Sequence, residues 1–243
     1  MKGLLAWWER LCTSSKILRF VDINLRGIGQ VMFQNNPVTG LAFLAAVGWG
    51  SYVAGVPQVA IGGLLEVVAA TLTAQWLHVD EAGLASDLYG YNASIDPAAA
   101  NPLNVADFVQ GVLNSISQVF LKGNGLSALL LLAGLAVSSL AAAVFALLSA
   151  IVAVVTAHLL GAESELITGG LLGFSPVLTA VALGTVFYRP GARVVVYTLL
   201  GTVFTVIVQG AMNVALTPFA IPTLTAPFVL ASWLFLLPRQ HFE

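Results

Sequence analysis

The side chains of this sequence that are suited to meeting a polar solute are amides and hydroxyls set in or beside stretches without charge. Gln30, followed closely by Asn35, Asn36 and Thr39, lies in a run (27–65) that contains no Asp, Glu, Lys or Arg. Gln118 stands just before a second such run, 123–162, and Thr225 sits between Pro222 and Pro227 in a third, 194–238. An amide or hydroxyl oxygen accepts a hydrogen bond in an apolar medium without the several kcal/mol needed to place an ion there. The same groups have structural uses. Gln30 and Gln118 are equally suited to tying helices together, Asn35, Asn36 and Asn124 to capping and turning them, and Thr225 to serving backbone groups freed by the flanking prolines. Catalytic groupings are absent from the pattern. There is no nucleophile beside a base and no phosphate-binding loop, and His78, His158 and the single Cys12 make no metal-ligand spacing. An enzyme, a cofactor and a metal are therefore not expected.

The elements that hold these groups follow from composition. Of 243 residues, 58% are hydrophobic and only 8% are charged, against about 25% charged in a soluble domain. Each charge-free run has room for about two passes of roughly 20 residues, so the chain reads as an all-α integral membrane protein. The net charge of −2 comes with no basic stripe, and nucleic acid has no support as a partner. Five of the nine basic residues, Lys2, Arg10, Lys16, Arg19 and Arg26, precede the first apolar run, which places the N-terminus in the cytoplasm. Residues 3–20 read as one amphipathic surface helix with Trp7 and Trp8 at the interface. Residues 1–26 form this N-terminal segment and 93–107 a linker. Apolar stretches are expected at 41–56, 57–77 (with Glu66 inside), 108–121, 126–147, 148–160, 166–187 and 194–212. The piece at 228–237 is too short to cross alone, and short apolar pieces interrupted by proline point to half-helices buried in protein.

The chain repeats itself. Gln30-Val31-Met32-Phe33 with Asn36-Pro37-Val38-Thr39-Gly40-Leu41 is echoed by Gln118-Val119-Phe120-Leu121 with Asn124-Gly125-Leu126-Ser127-Ala128-Leu129. Leu88-Tyr89-Gly90-Tyr91-Asn92 is echoed by Leu171-Leu172-Gly173-Phe174-Ser175. Gln30 lies 62 residues before Asn92, and Gln118 lies 57 before Ser175. The copies are unequal. After Ser175 the second runs on for 62 apolar-rich residues to Leu237, whereas only 25 separate Asn92 from Gln118. The reading is thus a truncated first repeat, 27–92, and a near-complete second repeat, 108–238, with no counterpart in the first to roughly 176–237.

These motifs carry a resemblance. Gly29-Gln30-Val31-Met32-Phe33-Gln34-Asn35-Asn36-Pro37-Val38-Thr39-Gly40 resembles the opening motif of the urea transporter family, bacterial type, and Leu88 to Asn92 resembles the next. Gly173-Phe174-Ser175-Pro176-Val177-Leu178 is similar to the second copy of that motif. Ile221-Pro222-Thr223-Leu224-Thr225-Ala226-Pro227-Phe228 looks like the family's Leu-Pro-x-x-Thr-x-Pro-Phe element. The resemblance implies a passive pore for urea between two inverted halves with re-entrant half-helices, in a homotrimer with one pore per subunit, multi-pass in the bacterial inner membrane. It implies that Gln30 and Gln118 face the pore, that Phe33 and Leu178 wall apolar slots, and that Thr225 stands at the centre. The residue types agree: urea is small, planar and neutral, with four N–H donors, and suits a row of oxygens between flat apolar walls.

Departures from the family pattern keep two other readings open. Lys122-Gly123-Asn124-Gly125 stands in the second copy where the first has Gln34-Asn35-Asn36-Pro37, so a helix-start proline is lost and a charge is added near the pore entrance. The missing block would leave one half of a two-half pore incomplete. The alternatives are a non-conducting remnant or interaction protein of the same family, and a channel for another small neutral solute such as ammonia, a short amide or water.

Overall fold

The computed structural model describes residues 2–53, 103–216, 218 and 222–237, and every regular element among them is helical. The expected segment 57–77 with Glu66, His78, the Leu88–Asn92 motif and residues 93–102 of the linker lie outside the described residues. The N-terminal region is a pair of helices, where the sequence reading had one: α1 spans Lys2–Ser14 and α2 spans Lys16–Gln30. The break falls at Ser15, whose backbone is extended and whose hydroxyl accepts from the Leu18 N–H at 3.5 Å. A serine in this conformation satisfies a donor at the start of the second helix and stops the first. α1 folds back on α2. The Trp8 indole N–H donates to Asp22 Oδ1 at 2.6 Å, and Arg26 pairs with Asp22 at 2.9 Å and Glu9 at 3.3 Å. Trp7, Ile17, Phe20 and Ile23 stay exposed, an apolar face of the kind that lies in a membrane interface. α2 continues through position 26, so the N-terminal segment and the first repeat share one helix.

From Gln30 onward the same small structure is built twice. After α2, the Phe33 N–H bonds to Gln30 O at 2.9 Å and the Gln34 N–H to Gly29 O at 2.9 Å. Phe33 adopts φ 63°, and Asn36 Oδ1 accepts from the Val38 N–H at 2.9 Å at the start of α3, Pro37–Val53. In the second copy, α4 spans Val105–Ser117 and ends in a tight turn, Gln118–Phe120. There the Leu121 N–H bonds to Gln118 O at 2.9 Å and the Lys122 N–H to Ser117 O at 3.3 Å. Leu121 adopts φ 55°, and Asn124 Oδ1 accepts from Leu126 at 3.0 Å and Ser127 at 3.2 Å as α5, Gly125–Ser138, begins. The asparagine supplies the start signal in both copies, so the missing proline is not needed at Gly125. α4 and α5 meet at a bend of 69°.

The copies also face each other. α3 packs along α5. Thr39 Oγ1 donates to Gly134 O at 2.7 Å and Ser127 Oγ donates to Ala46 O at 2.8 Å. Thr39 and Ser127 are equivalent in the repeat, as are Ala46 and Gly134, so the two bonds are images of each other. That reciprocity is the mark of a two-fold relation. Thr39→Val and Ser127→Ala are accordingly expected to cost similar amounts, about 1 kcal/mol each, read as comparable drops in the unfolding temperature of the detergent-solubilised protein. A cost in one alone would break the equivalence.

The remainder of the second copy forms the bulk of the bundle. α6, Leu140–Leu159, starts after Ser139, whose hydroxyl accepts from the Ala142 N–H at 3.2 Å. The expected division at 147/148 is thus corrected to Ser139, the one residue of this apolar region placed to cap a helix. The short α7, Ser164–Thr168, leads to α8, Phe174–Val181, which passes into a wider π-helical segment, Ala182–Phe187. The single segment expected at 166–187 is therefore broken at Gly169–Gly173. α9 runs Ala192–Leu216 and α10 Ala226–Leu236. Among the described residues α6 and α9, with 20 and 25 residues, are long and apolar enough to cross a membrane, and the bent α4–α5 pair is a third candidate if taken as one span. α8 is too short to cross alone and is buried throughout, packed against α4, α6, α9 and α10. The hydroxyls of Tyr188 and Tyr197 both donate to Phe235 O, at 2.9 and 2.8 Å, satisfying a carbonyl that the end of α10 leaves open.

Candidate functional site

Each candidate residue sits where a short helix begins or ends, except Leu178, which lies within α8. Gln30 is the last residue of α2 and its side chain is exposed. Gln118, at the matching position after α4, is half-buried. Its Nε2 donates to Gly169 O at 3.0 Å, tying the turn to the loop before α8, and no donor among the described residues reaches its Oε1. Phe33 is partly buried, with its ring 6.0 Å from that of Phe228 near the start of α10. Leu178 is buried in α8, within the core against which Phe33 and Phe228 pack. Thr225 precedes α10. It is exposed, its carbonyl accepts from the Val229 N–H at 3.2 Å, and its hydroxyl makes no capping bond.

α8 gathers these pieces, because it touches both the Gln118–Phe120 turn and α10. The structure brings Phe33, Leu178 and the Thr225 end of α10 to one core and places Gln118 on an adjoining turn. Gln30 stays outside it, on the surface. The Asn36 and Asn124 amides are helix caps, as their residue type suggests. An open pocket of about 760 Å³ flanks the α4–α5 bend, with Gln110, Asn114 and Asn124 in its lining. None of the five candidates lines it.

Backbone conformation marks the same places. Among the described residues, the non-glycine residues with positive φ are Phe33 at 63°, Leu121 at 55° and Leu224 at 44°. Phe33 and Leu121 each follow a candidate glutamine by three positions, and Leu224 immediately precedes Thr225. A left-handed conformation costs such residues about 1–2 kcal/mol, and strain of this kind gathers where geometry serves function. Charge plays little part. No Asp, Glu, Lys or Arg lies in the interior of α8 or α10, and among the described residues no three His, Cys, Asp or Glu side chains group as metal ligands.

A polar seam on α9 escaped the sequence reading. Thr198, Thr202, Thr205 and Gln209 are all buried. Thr202 meets Ser149 of α6 at 3.2 Å, Thr205 donates to Thr179 of α8 at 3.0 Å, and Gln209 Nε2 donates to Thr223 Oγ1 at 2.7 Å. The available signal was their spacing by three and four positions, which puts them on one helical face of a segment read as a plain span.

The comparisons with known proteins fit this arrangement. The family model described as "Urea transporter" matches residues 21–95 and, separately, 93–240. Urea transporter 1 of Ovis aries is 36% identical over 95 residues, which cover 39% of this chain and 23% of the sheep protein. Urea transporter 1 of Rattus norvegicus is 39% identical over 79 residues, 32% of this chain and 19% of the rat protein. These alignments span less than a quarter of the relatives' lengths. The two family matches cover nearly the whole chain and meet between the copies of the repeat: the chain belongs to the urea transporter family.

Proposed function

We propose that this protein conducts urea passively across a lipid bilayer, with Gln118, Leu178 and Thr225 along the route and Gln30 and Phe33 contributing from the first repeat. The observation that supports it most is the doubled module: a glutamine turn, a left-handed residue and an asparagine-capped half-helix, made twice and joined by reciprocal hydrogen bonds. Such half-helices end inside protein and leave amide and carbonyl groups for a neutral, hydrogen-bonding solute. No energy source is called for, and the chain is a transporter in a membrane rather than an enzyme. Assembly as a homotrimer in a bacterial inner membrane belongs to this reading. Purified protein in proteoliposomes should equilibrate labelled urea faster than empty vesicles. Equal rates would favour the non-conducting remnant, a reading supported by the exposed side chain of Gln30. Flux of ammonia, water or a short amide without urea would favour the other-solute reading.

The orientation is part of the proposal. The five basic residues before position 27 hold the N-terminus in the cytoplasm. A cysteine at Gly3, in a Cys12→Ser background, should stay unlabelled by an impermeant maleimide added to intact cells and react after permeabilisation. Labelling from outside would reverse the assignment.

A further inference from the structure

We infer that Gln209 and Asn213 of α9, acting through Thr223, are positioning residues that fix the turn carrying Thr225. This rests on the conduction reading above for the role of Thr225, but the geometry stands apart from it. The turn 222–225 has little regular structure of its own. Its Leu224 is held at φ 44°, a conformation that a branched side chain does not keep without restraint.

The restraints come from two other helices. Gln209 Nε2 donates to Thr223 Oγ1 at 2.7 Å and approaches Asn213 Oδ1 at 3.3 Å, while the Thr223 hydroxyl donates to Asn213 Oδ1 at 2.8 Å. Ser175 of α8 donates to Leu224 O at 3.3 Å. Thr223 and Gln209 are buried, Gln209 to 1% exposure, whereas Thr225 two positions later is exposed. Thr223 thus anchors inward while Thr225 presents outward. The amides stand one helical turn apart on α9, so both reach one hydroxyl. Gln209 Oε1 has no partner among the described residues. A buried unpaired carbonyl is unfavourable, which implies that its amide N–H contacts to Thr223 and Asn213 are what keep the side chain there.

The test uses full-length protein in two arms. In the first, Thr225→Cys is made in a Cys12→Ser background and its rate of reaction with a small thiol reagent is measured in detergent, with and without Gln209→Met. Thr223→Val and Thr223→Ser are compared in the same way. Gln209→Met and Thr223→Val should each change the rate at least about 5-fold, and Thr223→Ser, which keeps the hydroxyl, should restore it. Monodisperse elution at the wild-type volume confirms that each variant is folded. If Gln209→Met is not monodisperse, the Thr223→Val and Thr223→Ser pair decides alone. Unchanged rates in folded variants overturn the inference, whether or not the protein conducts. The second arm measures urea flux of Gln209→Met, Thr225→Val and the double variant. Where Gln209 acts only through the Thr225 turn, the double variant is no slower than Thr225→Val. Multiplying losses would overturn the inference. Absence of wild-type flux would fail the conduction reading and leave the first arm to decide.

Discussion

Urea flux through the reconstituted protein is expected to fall roughly 5- to 150-fold when Thr225 becomes valine. The exchange preserves shape and removes the hydroxyl oxygen, so a urea N–H passing Thr225 loses its acceptor, at a cost of about 1–3 kcal/mol where no water replaces it. If that point is the barrier, the cost converts to the stated range. Thr225→Ser keeps the oxygen and should be much milder. Gln118 is expected to matter more than Gln30. It is half-buried and tied to Gly169 beside α8, whereas Gln30 is exposed. Stopped-flow light scattering of proteoliposomes under an inward urea gradient, read in the swelling phase that follows the initial osmotic shrinkage, measures Thr225→Val, Thr225→Ser, Gln118→Leu and Gln30→Leu. Robust flux with Thr225→Val unchanged would keep the pore and move its centre elsewhere.

Gly170→Ala is expected to destabilise the protein by about 2–5 kcal/mol, the sum of a left-handed backbone penalty and an overpacking penalty. Gly170 has φ +74°, and a Cβ there would overlap the backbone between Asn114 and Ser115 of α4. That close approach lets the loop before α8 lie against α4, where Asn114 Nδ2 donates to Thr168 O at 2.7 Å and Gln118 Nε2 to Gly169 O. Gly161 is the control. Its φ is +75°, but a Cβ would meet nothing within 4 Å, so Gly161→Ala should cost only the conformational share, about 1–2 kcal/mol. Thermal aggregation in detergent, followed by size exclusion, compares the two. Equal losses would mean that the α4 contact is not tight.

Much of this molecule is decided locally, and so could be read from the residues in order. The membrane as solvent follows from the near absence of charge over long runs. The turns after Gln30 and Gln118 and the caps at Asn36 and Asn124 are local events of a few residues, and similar local chemistry folded the same way twice. Helix boundaries were less legible wherever a short-range choice was close. Ser15 and Ser139 each interrupt a stretch that apolar pattern alone would continue, because a serine side chain can replace a backbone partner at a helix start.

What only the tertiary structure decided is which faces meet. Periodicity carries no signal in segments apolar on every side, and α3, α5, α6 and α10 are of that kind. The reciprocal bonds of Thr39 and Ser127 depend on α3 and α5 lying together. The contrast between Gln30 and Gln118 depends on where α8 packs, and the burial of Gln209 on the chain returning at Thr223 to meet it. In an apolar medium the hydrophobic effect does not rank one helix face above another. The few hydroxyls, amides and close glycine contacts do, and their partners lie far away in the sequence.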